Sequence, residues 1–115
     1  LGFAQVRAYF EREADRSGKT PPVVDSDAIL ANPAGQLEAL CSAIGIAWDR
    51  AMLRWEKGPH PDDGIWGAHW YDKVNASTGF GAAPAAMPLL DGAYAKTAEA
   101  CREDYEFMLQ YAITA

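Results

Sequence analysis

The chain has 115 residues, of which 50% are apolar and 23% are charged, and this is the composition of a globular protein, not of a disordered chain. The length suits a single domain over residues 1–115. The net charge of −6 argues against non-specific nucleic-acid binding, because such binding needs a basic face. No apolar run approaches the roughly 20 residues that span a bilayer, so the sequence predicts no membrane segment.

The first segment predicts an amphipathic helix over residues 2–16 that ends at Gly18. Its apolar residues recur at helical spacing: Phe3, Val6, Tyr9 and Phe10. The chain starts inside this pattern, without an initiator Met or a signal-peptide pattern. We therefore expect the 115 residues to be part of a longer protein.

The second segment changes character. Two consecutive prolines exclude a helix, and the β-branched pair Val23 and Val24 predicts one short strand near residues 22–25. After it, Ser26 or Asp27 can cap a short helical turn. A lone strand leaves backbone groups unpaired, so we expect its partner strands to lie in another part of the protein.

Three further helices are predicted in the middle of the chain. The clearest has Asn32 as its N-cap, a proline in its first position and Gly45 at its end. Asp49 can cap a second, short helix. A third runs from Trp66 to about Ala76, and we expect Trp66 and Trp70 to hold it against the body of the protein.

The last part of the chain consists of an irregular stretch, residues 77–88, and a long helix from Asp91 to about Ala112. One stripe of this helix can pack on the same chain or on a partner helix: Tyr94, Ala98, Cys101, Tyr105, Met108 and Ala112. Altogether the sequence predicts a mainly α chain with about five helices and one strand. Cys41 and Cys101 are expected to be reduced core thiols, which indicates a cytoplasmic protein.

Two groups of residues have chemically reactive side chains but lack the pattern of a site. One comprises the histidines and acidic residues of the loop: His60, Asp62, Asp63 and His69. The nine-residue spacing of the histidines matches no metal-binding pattern, so turn capping is expected and no metal is assigned. The other group is Ser77 or Thr78 with His69, which lacks the setting of a nucleophile. No catalytic residue is assigned.

The run "DKVNASTGF" is the better candidate, as an anion site. Lys73 stands one helical turn before Ser77, and Thr78 and Gly79 follow. A lysine, two hydroxyls and backbone amides beside a glycine can hold a phosphate or a sulfate. His69 falls four residues before Lys73, on the same face. The alternative is a capped helix end with a solvated lysine.

Four stretches resemble the C-terminal half of bacterial sulfotransferase-family proteins, which belong to the P-loop nucleotide-binding superfamily: "PVVDSDAIL", "LEALCSAIGI", "MLRWEKGP" and "DGIWGAHWYDKVNASTGF". The resemblance runs from about Gly2 to Phe80. It implies a larger three-layer α/β/α protein in which Val23 and Val24 form a late strand of a parallel sheet.

The resemblance also implies a reaction, the transfer of a sulfuryl group from 3′-phosphoadenosine 5′-phosphosulfate to an alcohol or an amine. The phosphosulfate-binding loop and the catalytic base of such proteins lie in the earlier half, so this chain is expected to be inactive alone. The missing N-terminal half, the nucleotide and the small-molecule acceptor are the expected partners.

A late segment of these proteins closes over the 3′-phosphate with a basic, glycine-rich run. This chain departs from that run, and position and chemistry assign the role to Lys73, Ser77, Thr78 and Gly79. His69 and Trp70 are assigned to the acceptor side. The alternative function is a non-catalytic interaction module that forms a homodimer through the helix 94–112.

Overall fold

The computed structural model describes residues 2–83, 85–86 and 88–115. Within these ranges the chain is mainly helical, as predicted. It forms six α-helices and one 3₁₀ helix: α1 (Phe3–Ser17), α2 (Ser26–Ala31), α3 (Pro33–Ile44), the 3₁₀ helix (Arg50–Leu53), α4 (Gly67–Trp70), α5 (Asp72–Ala76) and α6 (Gly92–Leu109). Residues 84 and 87 of the stretch predicted to be irregular lie outside the described residues, as does residue 1.

The ends of the two clearest helices follow the sequence closely. Helix α1 stops at Gly18, whose φ of 67° is left-handed and lets its N–H bond to the Ala14 carbonyl. At the start of α3 the Asn32 side chain accepts a hydrogen bond from the Gly35 N–H, and Gly45 ends the helix with a φ of 74°. These predictions are confirmed.

The cap of α2 differs from the prediction. Asp25, not Ser26 or Asp27, is the N-cap, and its Oδ1 accepts hydrogen bonds from the N–H groups of Asp27 and Ala28. The reason is that Asp25 has the extended backbone that an N-cap requires, whereas Ser26 is already helical.

The predicted strand near residues 22–25 is wrong, since the described residues contain no strand. Val23 instead forms one isolated parallel bridge with Ala112, in which the Ile113 N–H donates to the Val23 carbonyl at 2.9 Å. Pro22 has no N–H, and α2 begins at Ser26, so a ladder cannot lengthen in either direction. The partner of Val23 therefore lies in the same chain.

Helices α1 and α6 pack together around Phe10, which is buried. The Phe10 ring lies 4.8 Å from the Tyr111 ring and 6.3 Å from the Phe107 ring. The Arg7 guanidinium stacks over Phe107 at 4.0 Å from the ring centroid and donates to Asp104. This pair of helices, with the segment around Val23, is the main packed region of the described chain.

The predicted stripe of α6 divides into two parts. Met108 lies beside Phe10 and Val23 in an apolar groove, and the Tyr105 ring contacts Phe3 edge-on at 5.9 Å. Tyr94, near the start of the helix, is 74% exposed. The C-terminal half of the stripe thus packs on the same chain, and the N-terminal half faces solvent.

The single helix predicted from Trp66 to Ala76 is broken at Tyr71 into α4 and α5. Trp66 and Trp70 are 68% and 75% exposed, so the prediction that they hold this helix against the body is wrong. Gly67 is the buried residue of α4, and a Cβ there would lie 2.8 Å from the Asp63 Cβ. The backbone of Gly67 therefore packs against the Asp63 side chain, and with Gly67 on the inner side of α4 the indoles of Trp66 and Trp70 face solvent.

Both cysteines are free thiols, and Cys41 is buried as expected. Within the described part of the chain, none of the helices combines the length and the apolar character that crossing a bilayer requires.

Candidate functional site

Residues 59–74, which include α4 and the first part of α5 and are called the 59–74 loop below, have their two ends held together by the flanking segments. Arg54 and Gly79 make an antiparallel bridge, and the Trp55 N–H donates to the Thr78 carbonyl at 3.3 Å. Closer to the loop, the Gly58 N–H donates to the Asn75 carbonyl at 2.9 Å. The two runs that looked distinctive in the sequence, "RWEKG" and "NASTGF", therefore form one base for the loop.

The side chain of Trp55 completes this base. Its indole N–H donates to the Ser77 hydroxyl at 2.9 Å, and its ring meets Phe80 edge-on at 5.4 Å. The Ser77 hydroxyl in turn donates to the Val74 carbonyl at 2.6 Å. Because its proton is already engaged, Ser77 stabilises the corner and has at most acceptor capacity left for a ligand.

Gly79 is required by close approach of two backbone segments. A Cβ at this position would lie 3.1 Å from the Leu53 carbonyl oxygen. Since that oxygen belongs to the backbone, it cannot move aside as the tip of a side chain could. Gly79 therefore lets residues 76–80 approach the 3₁₀ helix.

A cleft of about 1020 Å³ opens beside this base, between the start of α3, the 3₁₀ helix and residues 76–80. Its lining includes Asn32, Arg50, Arg54, Ser77, Thr78, Gly79 and Phe80. The structure thus brings three of the four predicted anion-binding residues to one cleft.

Lys73 is not among the residues that line the cleft. The predicted spacing assumed that the helix persists to Ser77, but α5 ends at Ala76 and Ser77 has an extended backbone. The turn-by-turn relation of Lys73 to Ser77 is therefore lost.

Sequence reasoning missed Arg50 and Arg54. Of the described residues that line the cleft, these two alone carry a charge. The signal was present as an Arg-x-x-x-Arg spacing before Trp55, but nothing local connects it with residues 77–80. The connection comes from the Arg54–Gly79 bridge, together with Asp49, whose carboxylate caps the 3₁₀ helix through the Ala51 N–H at 2.8 Å.

The two residues assigned to the acceptor side, His69 and Trp70, lie on α4 within the 59–74 loop. Both are exposed, and neither lines the cleft. The His69 ring lies 6.3 Å from the Trp66 ring, so the loop carries an aromatic surface apart from the cleft.

His60, Asp62 and Asp63 serve the turn, as expected. The His60 N–H donates to the Asp63 carboxylate at 2.8 Å, and the His60 Nδ1 lies 3.5 Å from the Asp62 carboxylate. Within residues 2–83, 85–86 and 88–115, no three His, Cys, Asp or Glu side chains are grouped so that they could hold a metal ion.

Comparison with known proteins identifies the family of this chain. The model of the sulfotransferase domain matches residues 2–109. The chain belongs to the sulfotransferase-domain family. The match covers all six described helices, the 3₁₀ helix and the cleft, and proteins of this family generally use 3′-phosphoadenosine 5′-phosphosulfate.

Two Arabidopsis thaliana proteins are similar to part of the chain. Branched-chain-amino-acid aminotransferase-like protein 2 is 37% identical over 76 residues, which are 64% of this chain and 14% of that protein. Branched-chain-amino-acid aminotransferase-like protein 1 is 41% identical over 63 residues, 55% of this chain and 11% of that protein. No solved structure matches the chain.

Proposed function

We propose that the chain is the C-terminal part of a sulfotransferase-like protein and supplies a lid and part of the nucleotide or acceptor pocket. The observation that carries this proposal is the cleft beside residues 76–80, which gathers hydroxyl, amide and guanidinium groups in a chain of net charge −6. These groups suit the anionic parts of a phosphosulfate nucleotide.

The apolar surface that this chain leaves exposed supports the presence of a further part of the protein. Phe10 and Cys41 are the buried apolar side chains among the described residues, and many large apolar side chains are exposed. The matched segments cover only 14% and 11% of the two similar plant proteins. We expect an N-terminal half of the same protein to cover these surfaces.

We place that half in a three-layer α/β/α fold beside Val24, whose backbone groups are unpaired in the described chain. Val23 faces Ile113 through its carbonyl, so the N–H and C=O of the next residue point to the opposite side. In the described chain neither group of Val24 has a hydrogen-bond partner. A parallel strand from the N-terminal half would satisfy both groups.

In the proposed reaction the S–O bond to the nucleotide breaks, and a new S–O or S–N bond forms to an alcohol or amine acceptor. The acceptor proton passes to a base outside this chain, and 3′-phosphoadenosine 5′-phosphate leaves. The residues of this chain bind and orient the reactants, which lowers the barrier by fixing an in-line geometry.

We propose the 59–74 loop as the lid. Its ends are fixed by the backbone contacts at Arg54, Trp55 and Gly58, and its tip carries exposed aromatic groups. Closure over a bound nucleotide would bring Lys73 to the anion and would place His69 and Trp70 along the acceptor. The roles that the sequence predicts for Lys73, His69 and Trp70 would thus apply once the 59–74 loop has closed over the nucleotide.

The second candidate, a homodimer formed through the helix 94–112, is favoured by one observation. Tyr94 is 74% exposed, and Leu90 just before α6 is 48% exposed. Because Tyr105 and Met108 already pack within the chain, such a dimer would use the first half of α6.

Free thiols at Cys41 and Cys101 suit a reducing compartment, and we propose a cytoplasmic location.

The test is calorimetric titration of the whole protein with 3′-phosphoadenosine 5′-phosphate. We expect binding, and we expect Thr78→Val to weaken it about tenfold, because a hydroxyl that donates to a charged oxygen is lost. Thr20→Val, at an exposed position remote in sequence from the cleft, is the matched control. Absence of binding to the wild-type protein would refute the sulfotransferase site.

Sedimentation velocity tests the dimer. If the second candidate is right, the wild type sediments as a dimer and Tyr94→Glu as a monomer.

A further inference from the structure

We infer that Arg50 and Arg54, together with Thr78, form an anion site in the cleft that takes a phosphate or sulfate monoester. This deepens the proposed function and rests on it for the identity of the ligand. No sequence-based assignment included either arginine, and Lys73, which was assigned, does not line the cleft.

The first argument is the pairing state of the arginines. Three other arginines are paired with a carboxylate on their own helix: Arg7 with Glu11 at 3.2 Å, Arg16 with Glu13, and Arg102 with Glu99 at 2.8 Å. Arg12 has no carboxylate partner among the described residues and stacks over the Tyr9 ring, away from the cleft. In the described part of the chain, Arg50 and Arg54 have no carboxylate within 4.0 Å. With 16 acidic against 10 basic residues, two unpaired guanidinium groups lining one cleft form a local positive surface.

The second argument is the direction of the hydrogen-bonding groups. Guanidinium groups only donate, and the Thr78 hydroxyl has no partner among the described residues. Asn32 engages its amide oxygen with the Gly35 N–H, which leaves its NH₂ group to donate. Because acidic groups do not line the described cleft, the matching ligand is an acceptor with several oxygens, not a cation.

The third argument concerns the attached group. A cleft of about 1020 Å³ is far larger than one tetrahedral anion and is at the upper limit of the volume of small-molecule sites. Phe80 lines the same cleft and is 37% exposed, so it offers an apolar surface beside the anion site. The ligand is therefore an ester that joins the anion to an apolar or aromatic group.

Such an ester has two sources in the proposed reaction, a phosphate of the nucleotide or the sulfate of the acceptor product. Four probes separate them on the whole protein: 3′-phosphoadenosine 5′-phosphate, adenosine 5′-monophosphate, 4-nitrophenyl sulfate and inorganic phosphate. The variants are Arg50→Gln and Arg54→Gln. Arg12→Gln removes the same charge from α1, away from the cleft, and is the control. Circular dichroism checks that each variant is folded.

We expect each cleft variant to weaken the organic ester that occupies the site about tenfold, and the control variant to change affinity less than twofold. Weakening of the bisphosphate alone assigns the site to the 3′-phosphate, and equal weakening of both nucleotides assigns it to the 5′-phosphate. Weakening of the aryl sulfate alone assigns it to the acceptor side. We also expect the arginine-dependent part of the affinity to fall with added salt.

Failure of this inference is distinct from failure of the proposed function. If the wild type binds the bisphosphate and both cleft variants bind every probe as well as it does, the anion site is refuted and the nucleotide function stands. If the wild type binds neither nucleotide but the variants lose 4-nitrophenyl sulfate, the anion site stands and the proposed function falls. Wild-type protein that binds none of the probes refutes both.

Discussion

The hydrogen bond from Tyr105 to Asp25 connects α6 with the start of α2, and its removal should cost measurable stability. The Tyr105 hydroxyl donates to the Asp25 Oδ2 at 2.9 Å, while Oδ1 of the same carboxylate caps α2. The Tyr105→Phe variant removes the hydroxyl and keeps the ring, which contacts Phe3. The decrease in the free energy of unfolding therefore measures the hydrogen bond, because the ring packing is retained.

The expected magnitude follows from the charge and the exposure of the pair. A hydrogen bond to an ionised group contributes about 1.5–3 kcal/mol when it is well shielded from water. Tyr105 is 38% exposed, so solvent competes for the bond and we expect a free energy of unfolding lower by about 1 kcal/mol. A double-mutant cycle with Asp25→Ser, which keeps a good N-cap but removes Oδ2, should give a coupling free energy of similar size.

The pH dependence has a defined sign. The hydrogen bond to the Asp25 carboxylate, then partial burial, raise the pKa of Tyr105 above its ordinary value of 10.0. The folded state therefore retains the phenolic proton at a pH where the unfolded chain releases it. The stabilisation is complete below about pH 10 and is lost as pH rises through the raised pKa. The difference between wild type and Tyr105→Phe should shrink accordingly.

Urea unfolding of wild type, both single variants and the double variant, followed by tryptophan fluorescence at pH 8 and about pH 11, measures both effects. A coupling free energy under about 0.3 kcal/mol at pH 8 would show that the contact does not hold α6 against the start of α2. A wild-type-to-Phe difference that stays constant between the two pH values would contradict the assignment of the raised pKa to this bond.

Two further substitutions test the packing of α1 and the base of the loop. Phe10→Ala should lower the free energy of unfolding by about 3–5 kcal/mol, because it empties the space beside Phe107 and Tyr111. Gln5→Ala, at an exposed position on the same helix, is the control and should change this free energy by less than about 0.5 kcal/mol. Urea unfolding at pH 8 measures both variants, and equal effects would contradict the packing of α1 on α6 around Phe10. Gly79→Ala should cost about 1 kcal/mol, because its Cβ would lie 3.1 Å from the Leu53 carbonyl oxygen, and it should weaken nucleotide binding in the calorimetric assay. Gly81→Ala, with no atom within 4 Å of the added carbon, is the control, and a Gly79 variant that behaves like it would contradict the close approach.

Part of the candidate site can be predicted from the sequence. The run from Ser77 to Gly79 was recognised by its hydroxyls and its glycine, and these residues do line the cleft. The four-residue spacing to Ser77 predicts that Lys73 joins this site, but α5 ends between the two residues. Arg50 and Arg54 were overlooked because their relation to Thr78 crosses more than twenty residues of chain and depends on the bridge between Arg54 and Gly79.

Local sequence is sufficient to specify the features that depend on neighbours three or four residues away. Gly18 and Gly45 end their helices because a glycine adopts a left-handed backbone without steric cost, and Asn32 begins α3 because its side chain reaches the Gly35 N–H. These interactions are complete within one turn. No distant residue is needed to form them, so the pattern of residues was sufficient.

The contacts between distant segments, in contrast, become known only from the folded chain. Val23 bonds to Ile113 and Asp25 to Tyr105, across 80 or more residues, and these contacts replaced the expected strand with a single bridge. Trp66 and Trp70 follow a helical spacing, yet the break at Tyr71 and the burial of Gly67 turn them outward. Burial and pairing depend on which surfaces meet, and that is a property of the folded chain that local spacing does not contain.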